Sequence, residues 1–189
     1  SSGGLNVILQ NGIPKLIQND QWPVESSSVG DEFIVLCPQH SGNGCHDAFQ
    51  MDAFLRWAKD FYNVDPTRIY MTGLSCGGIG VWNYLLFKLN DDLIAGAIPI
   101  CGDGQLAYFF QGCNIGKVPI WGFHGDADDV VNPQGTIGPI QGLQSCTNPE
   151  AIDARLTVYP GVNHDSWTRT YDLSGGNDIY AWLLSHSNP

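Results

Sequence analysis

Five short runs of almost uninterrupted apolar residues set the tightest limit on what this chain can fold into: EFIVLCPQ (32–39), RIYMTGL (68–74), LIAGAIPICG (93–102), VPIWGFHG (118–125) and RLTVYPGV (155–162). Runs of this length without polar alternation suit strands covered on both faces, the signature of a parallel sheet. Between them lie segments with helical spacing. HDAFQMDAFLRWAKDFY (46–62) places Ala48, Met51, Leu55, Ala58 and Tyr62 on one side, and GGIGVWNYLLFKLN (77–90) does the same with Trp82, Leu85, Leu86 and Leu89. DIYAWLLSH (178–186) reads as a closing helix. The alternation predicts an α/β chain, a three-layer sandwich with helices on both sides of a mainly parallel sheet of about five strands. In such sheets, sites lie beyond the carboxyl ends of the strands.

The 189 residues suit a single domain spanning 1–189, with 1–30 as an irregular or helical N-terminal segment. Eight Lys and Arg against 19 Asp and Glu give a formal charge of −11, which repels nucleic acid and anionic membrane and favours a neutral or cationic substrate. No apolar run approaches the roughly 20 residues of a membrane span. The chain reads as soluble, either secreted after signal removal or cytoplasmic. Its six cysteines lack the paired spacing of a zinc site, so no metal or other cofactor is expected. Cys37 and Cys101, in strand-like runs, read as buried small hydrophobes; Cys113 and Cys146, in loop-like sequence, are candidates for a disulfide.

The strand ends carry the chemistry. RIYMTGL passes into Gly73-Leu74-Ser75-Cys76-Gly77 and then a helix, the pattern of a strained turn that projects a serine hydroxyl while glycines avoid side-chain clashes. The Cys76 backbone N–H, at the start of that helix, would point at a developing oxyanion. The bland alternative is a tight turn with a capping serine. A serine hydroxyl needs a base, and the base an orienting acid. HGDADDVV offers Asp126, Asp128 and Asp129 after one strand, and PGVNHDSW offers His164 after the next. His40, His46 and His186 read instead as loop, helix-start and tail residues.

Taken together, Asp65-Pro66-x-Arg68-Ile69-Tyr70-x-x-Gly73-x-Ser75-x-Gly77-Gly78, His124-Gly125-x-x-Asp128-x-Val130-Val131 and Tyr159-x-x-x-x-His164 resemble the lidless α/β-hydrolase esterases. The nearest groups are the phospholipase/carboxylesterase, polyhydroxybutyrate-depolymerase-like and predicted-peptidase groups, and the resemblance covers residues 31–186. It implies Ser75 as nucleophile, His164 as base and acid, Asp128 as orienter and His124 as a structural turn residue. The implied activity is that of a serine carboxylesterase acting on short-chain acyl esters, small molecules, through an acyl-enzyme. Alternatives are a peptidase, a feruloyl or acetyl esterase, a polyester-depolymerase-like hydrolase, or an idle hydrolase-fold binding protein. Only residues 103–117 separate two strands where lid-bearing relatives insert cap domains, so no lid is expected. Tyr108 and Phe109, with Phe110, are candidates for an acyl wall, and Trp167 for a substrate contact.

The resemblance also implies a truncated fold, because strands one to three of the α/β-hydrolase sheet have no counterpart ahead of EFIVLCPQ. The strand at 32–39 is then expected beside RIYMTGL. The second oxyanion donor is expected from the loop Gln39-His40-Ser41-Gly42-Asn43-Gly44, with Gln39 and His40 as candidates. Apolar surface left uncovered implies a homo-oligomer. Activity is expected to rise from acid to neutral pH as the histidine base loses its proton.

Overall fold

The computed structural model describes residues 5–29, 32–39, 44–88 and 92–189. Four of the five apolar runs form strands: β1 (Tyr70–Leu74), β2 (Gly96–Ile100), β3 (Ile120–Gly125) and β4 (Ala154–Tyr159). They pair in parallel in the order β1-β2-β3-β4. Every residue of β2 and β3 is buried, whereas β1 and β4 are partly exposed. The two central strands are therefore the ones that need near-continuous apolar sequence. The register sets Leu74 beside Ile100, Ile100 beside Phe123 and Gly125 beside Tyr159, so the four carboxyl ends share one edge.

Helices α1 (Gly12–Gln18), α2 (Ala48–Phe61), α3 (Cys76–Lys88), α4 (Gln105–Gln111), α5 (Gln134–Gln144), α6 (Trp167–Tyr171) and α7 (Ile179–Leu184) cover the sheet. On one face Met71, Ala97 and Ile120 pack with Leu55 of α2, Val81, Trp82 and Leu85 of α3, and Ile140 and Leu143 of α5. On the other, Ile98, Ile100, Trp121 and Phe123 pack with Leu16 of α1, Tyr171 of α6, and Ile179, Trp182 and Leu183 of α7. The sequential strand order follows from this division, because the connecting helices α3, α4 and α5 all join one core while the segments outside the sheet close the other. Asp47 caps α2 by accepting the amides of Phe49 and Gln50 at 2.9 and 3.0 Å, an arrangement worth about 1 kcal/mol. No helix among the described residues is long and apolar enough to cross a membrane.

The sheet has four strands among the described residues rather than about five, because residues 32–39 join no ladder. Phe33 packs on Tyr70 and Tyr180, with ring centroids 6.1 and 6.0 Å apart. Ile34 is 55% exposed and Cys37 is exposed. A run rich in β-formers needs cross-strand partners and a covered face to act as a strand, and Pro38 lacks the N–H that a ladder requires. Cys37 is thus not the buried hydrophobe expected of it; Cys101 is buried. Residues 5–29 hold a 3-10 turn (Leu5–Gln10) and α1, with no strand. Two disulfides close the chain, Cys113–Cys146 and Cys45–Cys76. The second has no counterpart in the sequence reading.

Candidate active site

β1 ends at Leu74 and α3 begins at Cys76, which leaves Ser75 alone to turn the chain. It does so at φ 51°, a left-handed conformation that disfavours an L-residue by about 1–2 kcal/mol. The Ser75 amide donates to the Ile100 carbonyl at 2.9 Å and lies 3.2 Å from Cys101 Sγ. A Cβ at position 73 would collide with the Gly77 backbone, and one at position 78 with the Ile100 carbonyl. Glycine is therefore what lets α3 start hard against the ends of β1 and β2.

The turn sets Ser75 Oγ 2.9 Å from His164 Nε2, and His164 Nδ1 lies 2.8 Å from Asp128 Oδ2. Facing a carboxylate, Nδ1 carries the ring proton, which leaves Nε2 to accept from the serine hydroxyl. Asp128 Oδ1 accepts the amides of Val130 and Val131 at 2.9 and 3.0 Å. The Asp128 side chain is sealed from solvent and that of His164 is 18% exposed. Burial on its own would raise the Asp128 carboxyl. Hydrogen bonds from His164, Val131 and Val130 outweigh it and hold the group below the usual carboxylate range. The arrangement is a proton acceptor poised on a hydroxyl and backed by a fixed anion.

The rival carboxylates have other partners. Asp126 accepts the Gly161 amide at 2.6 Å, and Asp165 accepts the Thr168 amide and hydroxyl at 3.0 and 2.9 Å. Asp129 meets the Asn163 side chain through its own amide. Cys76 opens α3 with its side chain bound to Cys45. Gln39 is described and exposed; His40 lies outside the described residues. Tyr108 packs against Gly142 of α5, and Phe109 is 78% exposed against Phe110. Tyr108 is thus packed on α5, whereas Phe109 and Phe110 are exposed together. Trp167 meets the His164 ring edge to face at 5.3 Å and donates from Nε1 to Asn11 Oδ1 at 3.2 Å. The segment ahead of α1 therefore reaches the rim beside His164.

Sequence reasoning passed over three features. His124, read as a turn residue, is 0% exposed and puts Nε2 3.0 Å from Asp128 Oδ2. A polar residue near the end of the otherwise apolar VPIWGFHG run, four positions before the acid, was the available signal. Cys76 sits in the serine turn, so its pairing with Cys45 bears on the site; no spacing rule indicates it. Cys101, buried behind Ser75 at φ 42°, has its thiol pushed up to about 12 by burial. Cys101, Asp128 and His164 each offer a potential metal-ligating atom within 4.8 Å of the others, but the His164 and Asp128 atoms already face each other in a hydrogen bond.

His124 gives the fold a pH dependence. Burial lowers its pKa, against the raising effects of the Val131 carbonyl and Asp128. Unfolded histidine titrates near about 6.5, so below that pH the unfolded chain binds a proton the folded chain refuses. Stability is then expected to fall as pH drops below about 6.5, by up to about 1.4 kcal/mol per unit. Asp128 acts lower, because a carboxyl depressed by folding stabilises above about 4 and is lost only as pH falls through its folded value. Melting temperature should therefore decline between pH 7 and 5 and decline less in His124→Gln; equal slopes for the two proteins would contradict this.

Residues 31–177 match the model of the dienelactone hydrolase family. Over 158 residues, 79% of this chain and 22% of the relative, the sequence is 27% identical to a bifunctional acetylxylan esterase/xylanase of Neocallimastix patriciarum. The crystal structure of a thermostable esterase superposes with a TM-score of 0.61 at 31% identity, over 74% of this chain and 36% of that one. Est1E from Butyrivibrio proteoclasticus, 18% identical, shares the fold with a TM-score of 0.53 over 74% and 72% of the two chains. The chain thus spans under a quarter of the curated relative and little more than a third of the thermostable esterase.

Proposed function

The chain belongs to the dienelactone hydrolase family, and we propose that it hydrolyses carboxylic esters through a covalent intermediate on Ser75. The observation that carries this reading is the chain of contacts from Ser75 Oγ through both nitrogens of His164 to Asp128, on a turn strained enough to present the hydroxyl. As Oγ attacks the ester carbon, its proton passes to His164 Nε2, and Asp128 stabilises the resulting imidazolium. The carbonyl electrons move onto oxygen, where the Cys76 amide receives them, with a second donor from the segment that includes Gln39 and His40. The tetrahedral species collapses, the bond to the alcohol breaks, and Nε2 returns the proton to the leaving oxygen. Water repeats the sequence on the acyl-enzyme and releases the carboxylic acid.

Short acyl chains suit this site, since only α4 and a 3-10 turn (Gly112–Lys117) occupy the connection between β2 and β3. The likeness to an acetylxylan esterase/xylanase favours acetyl esters of a polysaccharide as a second reading of the substrate. The excess of acidic residues fits a neutral substrate of that kind. The test sets p-nitrophenyl acetate against p-nitrophenyl decanoate, measures acetate released from acetylated xylan, and maps the adduct of a fluorophosphonate by peptide mass. Turnover of the acetyl ester in preference to the decanoyl ester, with an adduct on the peptide holding Ser75, is expected. A chain that turns over no ester and takes no label is a binding protein, and the proposal fails.

A further inference from the structure

Asp128 uses one oxygen for two imidazoles. Oδ2 lies 2.8 Å from His164 Nδ1 and 3.0 Å from His124 Nε2, while Oδ1 takes the two valine amides. Nε2 of His124 faces only acceptors, this oxygen and the Val131 carbonyl at 3.1 Å, so the ring proton is assigned there. With Nε2 carrying the ring proton, Nδ1 faces the Thr136 hydroxyl at 2.9 Å, whose one proton is shared between this nitrogen and the Gly102 carbonyl. Thr136 is fully buried on the first turn of α5, and the Gly102 carbonyl stands 3.2 Å from the same hydroxyl. A line of contacts therefore runs from α5 through Thr136, His124 and Asp128 to His164 and Ser75.

We propose that His124 is a positioning residue for the ester hydrolysis described above, its Nε2–H fixing the Asp128 carboxylate and sharing its charge, and thereby setting how strongly Asp128 holds a protonated His164. The inference rests on the assignment of Ser75, His164 and Asp128 to that reaction. A carboxylate accepting four hydrogen bonds is a weaker base than one accepting three. Without the His124 donor, Oδ2 answers to His164 alone: the carboxylate becomes the stronger base and loses one of the contacts that fix its aim on Nδ1. The other titratable groups nearby are Cys101, from the segment after β2, and Asp165, from the segment after β4; the charges of Asp128 and Asp165 both act on the Cys101 thiol. The Cys101 thiol stays neutral through the working range, and Asp165 remains engaged by Thr168. Neither changes with His124.

Two variants of the full chain decide the matter, His124→Leu and His124→Gln, because the glutamine amide nitrogen can stand where Nε2 stands. In His124→Leu, kcat for p-nitrophenyl acetate should fall roughly 10–100-fold, the scale on which losing the hydrogen-bond partner behind a metal-bound histidine or carboxylate acts. KM should stay within about twofold because His124 meets no substrate. The acid limb of the rate profile should move toward alkaline pH, and the downfield proton resonance of the His164–Asp128 hydrogen bond should shift. His124→Gln should restore most of the rate, and both limb and resonance. Parental kcat in His124→Leu, a fall in rate with limb and resonance unmoved, or a folded His124→Gln no better than His124→Leu would each overturn the proposal. Should the leucine variant not fold, Thr136→Val takes its place, with a smaller loss and the same alkaline displacement expected and an unmoved limb counting against. A parent that takes no fluorophosphonate at Ser75 defeats the esterase reading instead, while the resonance, which needs no turnover, still reports on His124.

Discussion

Ser75→Ala is expected to lower kcat for p-nitrophenyl acetate by on the order of 10⁵–10⁶-fold, the scale seen when a triad nucleophile is removed. At about 1.4 kcal/mol per factor of ten, that is roughly 7–8 kcal/mol of barrier. The loss is chemical rather than structural, because Ser75 is fixed in place by its backbone amide, which alanine keeps. A companion, Ser75→Gly, separates the two contributions further. Glycine tolerates φ 51° without the strain that serine carries there, so the variant should be equally inactive but more stable by about 1 kcal/mol. Full activity in Ser75→Ala would remove the serine mechanism. Unchanged stability in Ser75→Gly would show that the turn stores no strain.

The second large effect is expected at the acid. In Asp128→Asn, kcat should fall about 10⁴-fold, because a neutral amide can neither stabilise the imidazolium nor secure the proton on Nδ1. The surroundings make the substitution doubly awkward. Four donors converge on this side chain: two imidazole N–H groups on Oδ2 and two amides on Oδ1. An asparagine can accept on one side only, and its NH₂ must then oppose either the two rings or the two valine amides. Opposed to the rings, it donates to His164 Nδ1 and drives the proton to Nε2, where it blocks the serine. A stability loss of about 1–3 kcal/mol should accompany the rate loss, as for other unmatched buried polar groups. Activity within tenfold of the parent would show that Asp128 does not orient His164.

Much of this was legible because the sequence features concerned are local. A glycine-flanked serine between an apolar run and a helical pattern depends on residues 73–78 alone, and β2 and β3 are buried on both faces, so their runs admit few other readings. What escaped depends on neighbours distant in sequence. The run at 32–39 has the composition of a strand, but whether it pairs is decided by what stands beside it, and Ile34 and Cys37 face solvent. His124 looks like a turn residue until β3 buries it and α5 brings Thr136 to its far side. Tyr108 and Phe109 are adjacent in sequence, but the helix turns them to different environments, Tyr108 against Gly142 and Phe109 into solvent. The pairing of Cys45 with Cys76 is set by how the chain ahead of α2 meets the start of α3, a packing relation that no spacing reports.

That bridge ties competence to the history of the molecule. Cys76 follows the serine directly, and its partner lies 31 residues earlier, outside the sheet. Each crosslink of this span removes on the order of 3–4 kcal/mol of freedom from the unfolded chain. A freshly made polypeptide kept among reducing thiols thus carries Ser75, His164 and Asp128 in its sequence but lacks the clamp on Cys76, the residue proposed to donate to the oxyanion. Specific activity in a preparation should track the fraction of molecules that have shed four thiol hydrogens. The count is simple to make, since the finished chain keeps just two thiols, and Cys37 alone of them faces a reagent in the folded state. One thiol titrated before denaturation and two after marks a mature molecule; six after denaturation marks one that was never oxidised.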